Sequence, residues 1–151
     1  MLQRHFYTAG LAVYITLSLV NSGVELHDSR VDEFTRSGSD LRVVFRPAYV
    51  QRSDGVPGSD ARWGYLQPVQ FTFSGATCSE AGECWGLISE GEVSAGAVNY
   101  SNLVPLPLVA SGAIAAQLAF ASGGVLEVSA DGFTSEALGD PNPSFRERYE
   151  G

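Results

Sequence analysis

At 151 residues the chain has the length of one domain, and a chain of that size buries roughly 68–70% of its unfolded surface, so a core forms without help from a disulfide or metal. Its nine cations are all arginine, against seventeen Asp and Glu, for a formal net charge of −8. The missing lysine excludes Schiff-base catalysis and a P-loop. The acidic balance disfavours nucleic acid as a partner, since affinity for a polyanion comes from cationic contacts to phosphate.

Between His5 and Glu25 the sequence carries no charge. Residues 1–23 are therefore an apolar segment open to three readings. One is a signal peptide, with Arg4 ahead of the stretch from Leu11 to Val20. Another is a membrane anchor over residues 6–24, the one case in which membrane contact is expected. The third is an extra strand or helix of the domain. The cytoplasm is favoured over a secreted or periplasmic location.

The domain proper is expected over residues 24–143. Val24 and Leu26 alternate before a turn at Asp28-Ser29, and Val31 and Phe34 resume the apolar pattern. Ser37-Gly38-Ser39-Asp40 is a turn into a strand in which Leu41, Val43 and Phe45 alternate with Arg42, Val44 and Arg46. Pro47 cannot donate to a ladder, so it ends pairing or marks an edge or bulge. Residues 52–64 are the longest turn-rich run, punctuated by Gly55, Pro57, Gly58 and Gly64.

Val69, Phe71 and Phe73 form one face of the next strand. Trp85, Leu87 and Ile88 suggest a short strand closed by a turn at Glu90-Gly91-Glu92, with a weak strand near Val93 to Val98. The prolines of Leu103-Val104-Pro105-Leu106-Pro107 favour an extended edge segment. Ile114, Ala116, Leu118 and Phe120 then alternate over a full strand, with hairpin signals at Ser122-Gly123-Gly124 and Asp131-Gly132. Residues 144–151 read as a charged tail.

Turns recurring about every 8–12 residues with period-two apolar segments predict an all-β domain, a single antiparallel β-sandwich or barrel. Val43, Phe45, Phe71, Phe73, Leu118, Phe120 and Val128 are expected to point inward.

Chemistry-bearing motifs are sparse. With two histidines, His5 and His27, and no CxxC pair, no structural metal site is expected, and nothing points to a cofactor. Cys78 and Cys84 flank a polar turn, and whether they are bridged stays open. His27 beside Asp28 is the one candidate for acid–base work, but no nucleophile motif accompanies it, and a local side-chain turn explains the pair more simply. Asn99-Tyr100-Ser101 fits a glycosylation sequon, which matters only in a eukaryotic secretory setting. Trp63 and Tyr65, bracketed by Arg52 and Arg62, have the composition of a contact surface. The competing reading makes both rings a cover for the end of the sheet core.

Three stretches, Leu26-His27-Asp28-Ser29-Arg30-Val31, the run from Pro47 to Gly58, and Asn102-Leu103-Val104-Pro105-Leu106-Pro107, together resemble a group of small bacterial β-rich domains of unknown function. The His27-Asp28 opening is also similar to that of small proteins that look like immunity factors paired with toxins. The resemblance implies a β-rich fold and supplies no catalytic residue. The function expected is a non-enzymatic binding or protein-interaction module, self-association included, with Arg52, Arg62, Trp63 and Tyr65 as its contact residues. The alternatives are a small hydrolase using His27 and Asp28, or an immunity-type inhibitor of a cationic toxin.

Overall fold

The computed structural model describes residues 2–8, 11–17 and 21–150, with side chains from Asn21 onward. The described residues hold thirteen strands and no helix. They are β1 (Leu2–Thr8), β2 (Leu11–Leu17), β3 (Asn21–Glu25), β4 (Arg30–Ser37), β5 (Asp40–Ser53), β6 (Arg62–Ser74) and β7 (Thr77–Ala81), then β8 (Gly86–Ala95), β9 (Val98–Ser101), β10 (Leu103–Pro105), β11 (Leu108–Phe120), β12 (Val125–Ala137) and β13 (Glu147–Tyr149). Within residues 1–23, β1 and β2 form a hairpin, and β2 lies antiparallel to the start of β11.

Six strands close into an antiparallel barrel in the order β11-β12-β6-β5-β4-β8, with β8 returning to β11. A ring this small has no lumen to spare, so its inward side chains fill it. All seven residues expected to face inward are buried, none more than 3% exposed. Four phenylalanines form the centre: Phe45 meets Phe71 edge-on at 4.8 Å, Phe71 meets Phe133 at 5.0 Å, and Phe73 meets Phe133 at 5.0 Å.

Pro47 marks a bulge rather than a strand end. The β5–β6 register shifts between Phe45 and Ala48, and both strands then continue beyond the barrel. Their outer halves carry a five-stranded extension in the order β10-β3-β5-β6-β13.

Several expected turns are strands. The hairpin loop is limited to residues 54–61, so Arg52, Arg62, Trp63 and Tyr65 lie on β5 and β6 and not on a long loop. Glu90-Gly91-Glu92 runs through the middle of β8, where Gly91 is held by packing: a Cβ there would stand 2.9 Å from Leu118 and from Leu26. Asp131-Gly132 lies inside β12, with Gly132 in register between Ser111 and Ser74. The segment around Cys78 is β7, which runs along β12, and both cysteines are free thiols. The charged C-terminal segment contributes β13, paired to β6.

Candidate functional site

Two surfaces gather the chemistry-bearing residues. The first is one face of the extension. Trp63 on β6 stands in register with Arg52 of β5 on one side and Arg148 of β13 on the other. Cross-strand partners share a face, so all three project together, joined by Tyr65 two residues on. The guanidinium of Arg146 lies 4.2 Å from the Trp63 ring centroid and that of Arg148 5.2 Å, while Arg52 lies 5.5 Å from the Tyr65 ring. These are cation–π distances. Arg52, Arg146 and Arg148 are exposed and Trp63 and Tyr65 half-buried. Among the described residues the ion pair on this face joins Arg148 to Glu150, at 3.3 Å.

Arg62 does not belong to that face. As the neighbour of Trp63 it points to the opposite side, where its guanidinium covers the Tyr149 ring at 4.8 Å and donates to the Asp60 carbonyl at 3.2 Å. That opposite side holds the sheet together. The hydroxyl oxygens of Tyr49 and Tyr149 lie 2.7 Å apart, and the Tyr49 hydroxyl donates to Glu147 at 3.1 Å. Phe145 packs edge-on against Tyr49 at 6.2 Å. Gly64 leaves the space for this, because a side chain there would collide with the Tyr49 ring. Burial first, and then its bonds to Tyr149 and Glu147, push the Tyr49 phenol well above its ordinary value. Alternation along Arg146-Glu147-Arg148-Tyr149 thus divides the labour: Glu147 and Tyr149 anchor the strand from behind, and the arginines are presented in front.

Of the four contact residues expected from sequence, the structure brings together Arg52, Trp63 and Tyr65 and sets Arg62 apart. Arg146 and Arg148 were missed. Their signal was the period-two Arg-Glu-Arg-Tyr run, short enough to read as a tail.

The second surface is an open cleft of about 530 Å³ on the outside of the barrel, lined chiefly by His27, Ser89, Glu90, Glu92, Asn102 and Gln117. His27 is fixed by its backbone, whose N–H donates to the Asn102 side-chain oxygen at 2.7 Å. Its Nδ1 lies 3.2 Å from an Asp28 carboxylate oxygen. The Ser89 hydroxyl is turned away to donate to the Ala119 carbonyl at 3.1 Å, so it is not set as a nucleophile against the imidazole. Glu25, His27 and Asp28 place one donor atom each within 4.8 Å of one another, a set able to hold a divalent cation. Glu25 is already engaged, accepting from the Gln51 side chain at 2.8 Å. Toward the start of β8 from this cleft, Leu87 stands 49% exposed and Trp85, just ahead of the strand, 56%.

Comparison of the chain with protein-family models, with curated proteins and with solved structures finds no match in any of the three.

Proposed function

We propose that this chain is a non-enzymatic binding module that docks an acidic protein segment on the Arg52–Trp63–Arg148 face. The observation that carries this reading is the row itself. Three guanidiniums and two aromatic rings project from one face of a sheet whose other face is locked by Tyr49, Glu147 and Tyr149. Arginine offers a planar fork to carboxylates and stacks on aromatic rings, and arginine and tryptophan dominate the energetics of protein contacts. Locking the sheet in advance lowers the ordering cost of binding. The likeness to small bacterial β-rich domains and to immunity-like proteins agrees with a binding module in general, but an immunity-type inhibitor of a cationic toxin would use an acidic surface and not this arginine face.

Titration with a glutamate-rich peptide, followed through the Trp63 indole signal by NMR, tests it. Saturable shifts that vanish in Arg52→Glu/Arg148→Glu are expected. Absence of any shift in the wild type overturns the reading.

A second reading, a small hydrolase, draws on one observation: His27, paired with Asp28, lines the cleft together with Ser89 and Ser101. Turnover across a panel of esters and phosphoesters that disappears in His27→Ala, with the fold retained, would establish it.

A further inference from the structure

The arginine face calls for an acidic partner, and the same chain carries a surface of the complementary kind. On the outside of β8, Glu90 and Glu92 are exposed in the cleft, and neither forms an ion pair among the described residues. The side-chain bond recorded to either of them is Asn99 donating to Glu92 at 3.3 Å. At the start of the strand Leu87 is exposed, and so is Trp85 just before it, with the Arg30 guanidinium 5.8 Å from the Trp85 ring. The carboxylates of Glu90 and Glu92 match the guanidiniums beside Trp63 and Tyr65 in charge and Leu87 matches the rings in polarity, while the Arg30 guanidinium over Trp85 opposes them locally. The two surfaces sit on different elements: β8 pairs with β4, β9 and β11, whereas the arginine face is built on β5, β6 and β13.

We infer that the acidic partner is a second copy of this chain, whose outer β8 surface, with Glu90, Glu92, Trp85 and Leu87, receives the Arg52–Trp63–Arg148 face. This rests on the binding reading above and names its occupant. The contact is heterologous, one patch meeting a different one, so each docked copy leaves a free face at one end and a free cleft at the other. Assembly is therefore open-ended unless the rotation between copies closes a ring. A net charge of −8 on every copy opposes approach, so the local attraction works against a general repulsion and the contact is weak and reversible.

Sedimentation velocity over about 1 µM to about 1 mM chain, the range in which weak contacts of this kind populate, tests the inference. The average mass of the wild type should rise with concentration. Arg52→Glu/Arg148→Glu and Glu90→Arg/Glu92→Arg should each remain monomeric, with circular dichroism confirming the β fold, since all four positions are exposed. Mixing the two variants should recover association. The intact arginine face of one then meets the intact cleft of the other, and the two reversed surfaces also match.

A wild type that stays monomeric throughout, a cleft variant that associates as the wild type does, or a mixture that fails to recover overturns the inference. The glutamate-rich peptide separates the two levels. If it binds the arginine face while the chain stays monomeric, the binding reading stands and the second copy is ruled out as occupant. If the peptide also fails, both fall.

Discussion

The Tyr49 hydroxyl donates to the Glu147 carboxylate at 3.1 Å across 98 residues of chain, and through it the last strand is tied to the first long one. β13 is three residues long and pairs on one side with β6. So short an edge strand has little ladder energy of its own, and the anchoring side chains decide whether it stays.

Tyr49→Phe keeps the ring and deletes the hydroxyl. A net loss of about 0.5–1.5 kcal/mol is expected, the usual worth of a hydrogen bond. It should be concentrated at the C-terminus, so amide hydrogen exchange at residues 147–149 should accelerate far more than exchange in the barrel.

The same phenol makes stability depend on alkaline pH. Burial, then the bonds to Tyr149 and Glu147, raise Tyr49 above its ordinary value of 10.0, and burial raises Tyr100 in the same sense. The folded state favours the neutral form of each. The stability they contribute is intact below the unfolded value and is lost as pH rises through the higher folded one. Denaturant midpoints measured upward from about pH 9 should fall, starting near the ordinary tyrosine value of about 10, and Tyr49→Phe should flatten the decline.

Gly64→Ala should cost about 1–3 kcal/mol, because the methyl group enters the space of the Tyr49 ring. The backbone of Gly64 is in an ordinary region, so removing the ring should remove the penalty. Measured by chemical denaturation, Gly64→Ala in a Tyr49→Ala background should cost much less than in the wild type, a non-additive pair.

Trp63→Ala separates surface from core. Trp63 is half-buried under two arginines and lies outside the phenylalanine cluster. Its loss of folding stability should therefore fall below the roughly 3–5 kcal/mol expected for Phe71→Ala, whose side chain is fully buried. Binding of an acidic partner should weaken by about 2 kcal/mol, the size of an interface hot spot. Thermal melts of both variants beside a binding titration of Trp63→Ala give the comparison.

Period-two alternation identified the barrel interior because side-chain direction is a local property: Val43 and Phe45, or Leu118 and Phe120, point inward whichever strand lies next to them. The choice between sandwich and barrel was not legible, since closure depends on β8 meeting β11, a pairing between segments about 25 residues apart that leaves no mark in either. Gly91 and Gly132 read as turn glycines, yet each lies within a strand. At Gly91 the glycine gives room to the Leu118 and Leu26 side chains, a tertiary demand.

The candidate site was legible in part for the same reasons. Trp63 and Tyr65, two residues apart, had to share a face. Arg62, one residue from Trp63, had to leave it, and alternation already contained that exclusion. Arg146 and Arg148 could not be placed without knowing that Tyr49 of β5 reaches across β6 over Gly64 to receive their strand.

β5 and β6 run unbroken from the barrel wall into the extension, so the arginine face and the phenylalanine core are mounted on the same two lengths of backbone. A pull applied by a partner along those strands stretches many rungs of the ladder together instead of peeling them one at a time from an end. The face is in this sense a handle forged in one piece with the body, and tension on it is shared by the part of the molecule best able to bear it.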